Sequence, residues 1–177
     1  AGSNIELKSD IHGTRISGSE VDIQKAYLQF NRYILSNSDF YYEDTISKKM
    51  NLLEPYYGER IISVCTNILY SYVRDNSNVI SDYYVQNVLN IFVVLVYRNL
   101  NGKHVQENQE IHVYDDALFF EESAVRILHK AASRLDFSYT NEDVVFFSQH
   151  LISNRFESLP EENIDDALVN KLITQVS

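Results

Sequence analysis

The sequence predicts an all-α helical bundle, and three observations support this prediction. Apolar residues recur at steps of three and four through most of the chain, which is the spacing of one face of an α-helix. Only 5 Gly and 2 Pro are present, so few positions interrupt a helix. The segment 82–100 is apolar on nearly all sides, as expected for the central helix of a bundle. A strand of a parallel sheet is the alternative for this segment, but its length favours the helix.

The N-terminal part is expected to form an arm followed by one helix. Residues 5–17 combine β-branched residues with a His-Gly pair, a pattern that predicts a short hairpin or an irregular arm. Ser19 is a favourable N-cap residue and Asp22 its reciprocal carboxylate, so a helix is predicted over 20–35. The polar run 36–39 ends this helix.

The middle of the chain predicts a short helix and then two long ones. The short helix is placed at 43–53, and Pro55 marks a boundary after it. Apolar residues at helical spacing predict the first long helix over 57–74. Ser81 caps the second, which is the apolar segment described above, and Gly102 suits the left-handed conformation that often follows a helix.

The C-terminal third predicts three more helices. A polar loop over 103–114 precedes a helix at 115–135, whose first two residues are acidic, as the helix dipole favours. The next helix is predicted over 140–156 and the last over 162–176. Together these segments predict a helical bundle with a small N-terminal appendage.

Composition limits the classes of partner. The chain has 177 residues and a formal net charge of -10, and a surface this acidic repels the phosphate backbones of nucleic acids. The longest apolar run, 91–97, is too short to cross a bilayer, and no signal peptide is visible. The single cysteine, Cys65, lies in an apolar run and is expected to be a buried small hydrophobic residue. A chain with a single cysteine forms no internal disulfide, which is compatible with a reducing compartment.

His150 is the main candidate functional residue, in the helix that begins at Thr140. Thr140 and Asp143 have the spacing of a capping box, with Asp in place of the usual Glu. His150 follows Phe146 by four residues and Phe147 by three, so it borders the apolar face. An imidazole at such an edge reaches both water and a partner protein, while a structural boundary histidine is the ordinary alternative.

The other candidate groups have ordinary explanations. His104 and His112 share a loop with Glu107 and Glu110, but their spacing is not that of a known metal site. His129 is expected on a solvated helix face.

Two pairs of acidic residues also have an ordinary explanation. Asp115–Asp116 and Glu121–Glu122 are pairs of adjacent residues that point in different directions on a helix. Helix capping and solvated charge therefore explain them better than acid–base catalysis. The sequence contains no dinucleotide-binding, P-loop, hydrolase or zinc-protease motif, and it predicts no enzyme, no cofactor and no metal ion.

Four segments follow one another in an order that is typical of a known family. They are GTRISGSE at 13–20, YRNLNG at 97–102, AVRILHKAASRL at 124–135 and EDVVFFSQHLISNR at 142–155. Together they resemble the phosphotransferase-system regulation domain, or PRD, of bacterial sugar-operon regulators of the BglG, LicR and MtlR kind. The resemblance covers 57–177 and leaves 1–56 as a preceding arm, linker and helix.

The resemblance implies a five-helix bundle that is regulated by phosphorylation and is not an enzyme. The family carries the motif ExxYLxxHI on its fourth helix, and Glu142, Phe146 and His150 follow that motif in order, with Phe147 where leucine is usual. His150 is therefore the implied phosphorylation site. The implied donor is the phosphocarrier protein or a sugar-specific EIIB component of the phosphotransferase system. The family's first regulatory histidine corresponds to Ile91, which cannot be phosphorylated.

The run GTRISGSE is similar to the linker that joins a DNA-binding module to the first PRD of the activator branch. The resemblance thus implies a cytoplasmic transcription activator that acts as a homodimer and contacts DNA only through an upstream domain. Arg98, Arg126 and Arg155 are candidate partners for a phosphate on His150. Two alternatives stay open: a degenerate PRD of the virulence-regulator kind, which Ile91 favours, and a helical partner-binding domain without phosphotransfer.

Overall fold

The computed structural model describes residues 5–11, 13–36, 46–75, 81–106 and 117–154. Most of these residues are helical, so the predicted all-α fold is confirmed. Several sequence predictions lie outside the described residues, namely the helix at 162–176, the first residues of the helices predicted at 43–53 and 115–135, and the residues His112, Glu107, Glu110 and Arg155. The elements in chain order are β1 (Glu6–Asp10), β2 (Gly13–Ser17), α1 (Glu20–Ser36), α2 (Ile46–Met50), a 3-10 turn (Asn51–Leu53), α3 (Glu54–Tyr57), α4 (Glu59–Asp75), α5 (Asp82–Leu100), α6 (Ala117–Leu135) and α7 (141–154).

The N-terminal arm is a hairpin rather than an irregular segment. β1 and β2 pair antiparallel, with Glu6 opposite Ser17 and Asp10 opposite Gly13. Gly13 has a φ of 116°, a backbone conformation that residues with a side chain rarely adopt. Every residue of β1 is exposed, so this strand adds no side chain to the core.

Helix α1 begins where its capping residues predict and packs against α5. Ser19 Oγ accepts a hydrogen bond from the Asp22 backbone N–H at 3.2 Å and donates to Asp22 Oδ2 at 2.9 Å. Farther along, Asn31 Nδ2 donates to Asn90 Oδ1 on α5 at 2.6 Å, and both side chains are buried. A buried polar pair is stable only when each member has a partner, so this bond fixes how α1 sits on α5.

Pro55 begins a helix rather than ending one. It lies in the first turn of α3, where its missing N–H would have no helical partner in any case. The helical conformation is interrupted at Gly58, which has a φ of 95°, and α4 begins directly after it. The boundary expected from Pro55 is therefore displaced by three residues toward the C-terminus.

Helix α5 is the centre of the fold and has the predicted bounds. Its residues from Val88 to Val96 are all buried, so the helix is surrounded on every side. Gly102, with a φ of 74°, follows its C-terminus as predicted. One continuous core joins α5 to side chains of α1, α2, α3, α4, α6 and α7. Within the described ranges, none of the helices combines the length and hydrophobicity that crossing a bilayer requires.

The N-cap of α5 provides a test of local stability. Ser81 Oγ accepts the Tyr84 N–H at 3.1 Å, so Ser81→Ala leaves that donor without its side-chain acceptor. We expect a loss of about 1 kcal/mol in the free energy of unfolding, measured by urea denaturation. Ser63→Ala, at an exposed position inside α4, is the control and should cost nothing, because alanine favours a helix interior. Equal unfolding midpoints for the two variants would contradict a stabilising cap.

Candidate functional site

Helix α7, which carries His150, begins with the predicted capping box. The Asp143 N–H donates to Thr140 Oγ1 at 3.1 Å, and the Thr140 N–H donates to Asp143 Oδ2 at 2.9 Å. Two of the otherwise unpaired N–H groups at the helix N-terminus are satisfied in this way. The start of α7 is therefore fixed, and His150 follows Asp143 by seven residues, which is about two helical turns.

Helices α7 and α1 lie against α5 in the same direction. On α7, Phe147 stacks on Phe92 with ring centroids 5.4 Å apart, and the Leu151 carbonyl accepts from Tyr84 Oη at 3.3 Å. Residue numbers rise along α7 as they fall along α5, so these two helices are antiparallel. The pairs Glu20–Arg98 and Asn31–Asn90 show the same relation between α1 and α5. Because both helices oppose α5, they run parallel to each other.

His150 is partly buried at the edge of the core, as its spacing predicts. Its ring meets the ring of Phe146 edge to face, with centroids 4.5 Å apart. Burial is the main cause that lowers the pKa of His150 from the ordinary 6.5 to about 4, and the charges of Lys25 and Arg32 lower it further. The imidazole is consequently neutral at pH 7, which leaves a nitrogen lone pair available for reaction.

The two cations that act on His150 belong to α1. Lys25 and Arg32 are seven residues apart, so they lie on the same side of the helix about two turns from each other. Each directly follows a buried polar residue, Gln24 or Asn31, but the side chains of Lys25 and Arg32 are themselves exposed. Their positive charges act on the partly buried imidazole and lower its pKa, and a positive potential of this kind favours an anion.

Of the arginines suggested by the sequence, Arg98 and Arg126 lie within the described residues. Arg98 donates from Nε and from an Nη atom to the two carboxylate oxygens of Glu20, at 2.6 and 2.8 Å, and its guanidinium lies over the ring of Tyr27. This two-point ion pair ties α1 to the end of α5 and raises the pKa of Arg98. Arg126 is exposed on α6. Among the described residues, the cations whose charge lowers the pKa of His150 are Lys25 and Arg32.

Ile91, which the family resemblance aligns with a regulatory histidine, is a core residue. It is 2% exposed and lies in the middle of α5. Cys65 is also buried, as predicted, and burial raises the pKa of its thiol, which makes a thiolate unfavourable.

His104 is joined to the N-terminus of α7. Its Nδ1 lies 2.8 Å from Oδ2 of Asp143, a fully buried carboxylate, and the Val105 N–H donates to Oδ1 of the same group at 2.9 Å. This contact between the loop after α5 and the capping box is not indicated by any short motif. Among the residues described, no three His, Cys, Asp or Glu side chains are grouped closely enough to hold a metal ion.

The predicted solvated face of α6 is exposed. Its side chains border a surface groove of about 550 Å³ and carry charges of both signs. The residues along the groove are Glu121, Glu122, Val125, Arg126, His129 and Lys130. The two glutamates are exposed, which agrees with solvated charge and not with a buried catalytic pair.

Comparison with protein-family models found no match for the chain. Comparisons with curated proteins and with solved structures also found none.

Proposed function

We propose that the chain is a regulatory domain of a sugar-operon transcription regulator of the PRD kind, controlled by phosphorylation of His150. The observation that carries this proposal is a neutral, partly exposed imidazole at the edge of the core, on which the charges of two cations of α1 act. In the family motif ExxYLxxHI the acidic residue lies seven positions before the histidine, and in this chain that position is Asp143. Glu142, which was matched to the motif in the sequence analysis, is one residue too early.

The chemistry of the site suits phosphoryl transfer. A neutral imidazole nitrogen attacks phosphorus through its lone pair, while the bond between phosphorus and the donor's histidine or cysteine breaks. The product adds close to two negative charges and three acceptor oxygens at the edge of an apolar face. Lys25 and Arg32 offset that charge, which would otherwise be costly to hold against the core.

The proposed donor is the phosphocarrier protein or a sugar-specific EIIB component of the phosphotransferase system, and the proposed readout is a change in a homodimer contact. DNA would be bound by a separate upstream domain, since a net charge of -10 repels it here. Ile91 supports a second candidate function, a degenerate virulence-regulator PRD in which dimerisation matters more than phosphate. A buried isoleucine cannot supply the first regulatory site of the family.

Phosphate mapping tests this proposal. The chain is incubated with the phosphocarrier protein, its kinase and labelled phosphoenolpyruvate, and is then digested with trypsin. We expect label in the peptide 135–155, in which His150 is the single histidine, and loss of that labelled peptide in His150→Ala. His129→Ala, which removes an exposed histidine of α6, should keep it.

The outcomes separate the candidates. An unlabelled peptide 135–155 in the parent chain removes His150 as the switch. If the parent chain nevertheless forms a homodimer that takes up no label, the degenerate PRD is favoured over the phosphorylated one.

A further inference from the structure

The exposed face of α6 is a surface to which the proposed function assigns no role. Its outward residues come in adjacent pairs, 121–122, 125–126 and 129–130, and the residues between these pairs are buried. An alternation with a period of about one helical turn keeps the exposed pairs on one side of the helix, away from the core. This side borders the groove of about 550 Å³ described above.

The charges of this face are separated by sign along the helix. Glu121 and Glu122 form an acidic end, and Arg126 and Lys130 form a basic end toward the C-terminus. Val125 lies between the two ends and is 41% exposed. Two negative and two positive charges cancel, so these side chains form a locally neutral surface on a chain whose net charge is -10.

This pattern is complementary to itself. Two copies of a chain with a net charge of -10 repel each other over most of their surfaces, so a locally neutral face is the most favourable place for them to meet. When a two-fold axis relates two helices that cross it, the helices run antiparallel and the same patch is used on both copies. The acidic end of each α6 then lies beside the basic end of the other.

We propose that a second copy of this chain docks on the exposed face of α6 as an antiparallel helix pair, an inference that rests on the proposed function for the existence of a homodimer and assigns its surface. Glu121 and Glu122 of each copy face the basic end of the other copy. Val125 lies near the two-fold axis and packs on its own counterpart. The contact therefore has an apolar centre and a charged rim, as protein interfaces commonly do.

Exchange of the charges at one end of the face tests this contact in the full chain. One variant combines Glu121→Lys with Glu122→Lys, and the other combines Arg126→Glu with Lys130→Glu. In each variant both ends of α6 carry the same sign, so identical copies repel each other. We expect the dissociation constant of the dimer, measured by sedimentation equilibrium, to rise at least about tenfold in each. An equimolar mixture of the two variants places opposite charges together at both ends and should dimerise about as tightly as the parent chain.

The matched control is Glu6→Lys with Glu59→Lys. It changes the net charge by the same amount as the first variant, at exposed positions outside α6, and should dimerise as the parent chain does. Charge-exchanged variants that dimerise as tightly as this control overturn the proposal. A mixture of the two variants that stays monomeric also overturns it.

A second measurement leaves all the charges unchanged. Val125→Cys places a thiol near the proposed axis, and a short bismaleimide should join two copies of this variant covalently. Ser63→Cys, at an exposed position of α4, is the control and should give little joined product. The chain's own Cys65 is 0% exposed and does not compete for the reagent. Equal yields at the two positions, or no joined product at position 125, overturn the proposal.

The two proposals fail in distinguishable ways. A dimer that survives both charge exchanges overturns the role of α6 and leaves phosphorylation of His150 in place. A parent chain that is monomeric overturns the α6 contact and the homodimer together, whereas label in the peptide 135–155 is read out independently of both. If that peptide takes up no label and the mixture of variants still restores the dimer, the proposed switch fails and the α6 contact stands.

Discussion

Replacing Phe147 with alanine is expected to lower the free energy of unfolding by about 3–5 kcal/mol, the cost of removing a large buried aromatic side chain. Phe147 is 0% exposed and stacks on Phe92, so its removal leaves a cavity between α5 and α7. The surrounding helices cannot close this cavity fully, because α5 is packed on all sides. The measurement is urea denaturation followed by circular dichroism, since the chain has no Trp.

Phe119→Ala is the matched control for this prediction. Phe119 is 44% exposed on α6, and its truncation should cost less than about 1 kcal/mol. Similar losses for the two variants would show that the α5–α7 contact is not a major source of stability.

Helix ends were predictable because their signals are local. Ser81 and Thr140 each bond to a backbone N–H three residues ahead, and a spacing of three is visible in the sequence. Pro55 misled because its local effect is ambiguous: the residue is compatible with a boundary before it or after it. Only the structure shows that the helical conformation continues to Tyr57.

The packing of α1 against α5 could not be predicted, because it depends on contacts between residues that are far apart in the sequence. Asn31 and Asn90 are 59 residues apart, and no periodic pattern indicates that they pair. Val21 and Leu28 of α1 belong to the same core as α5 and α7. The division of the chain at residue 56 came from the family resemblance and remains a prediction, whereas the shared core is an observed feature.

Only part of the candidate site around His150 was predictable from the sequence. The position of His150 at the edge of an apolar face followed from its spacing to Phe146 and Phe147 on one helix. Lys25 and Arg32 could not be identified, because their electrostatic effect on His150 depends on the packing of two helices that are far apart in the chain. Their spacing of seven on α1 was visible, but such a pair of basic residues is ordinary on a solvated helix face.

The stability of the folded chain is expected to fall as the pH drops from about 6.5 to about 4, and His150 is a specific source of this loss. Its pKa is about 4 in the folded state, against 6.5 for an ordinary histidine. Between these values the unfolded chain binds a proton that the folded chain does not, so acid favours unfolding. The difference corresponds to at most about 3 kcal/mol, reduced by solvent screening because the ring is partly exposed.

Comparison with His150→Gln isolates this contribution, because the carboxylates titrate in both proteins. The free energy of unfolding is measured by urea denaturation at several pH values from 7 to about 4. We expect His150→Gln to lose less stability over this range than the parent chain, while His129→Gln follows the parent. Parallel curves for His150→Gln and the parent would show that the imidazole is not held neutral by the fold. The double variant Lys25→Gln with Arg32→Gln tests the contribution of the two cations. The pKa of His150, measured by NMR titration, should rise only part of the way to 6.5, because burial is the largest cause of the lowered pKa and is unchanged in this variant.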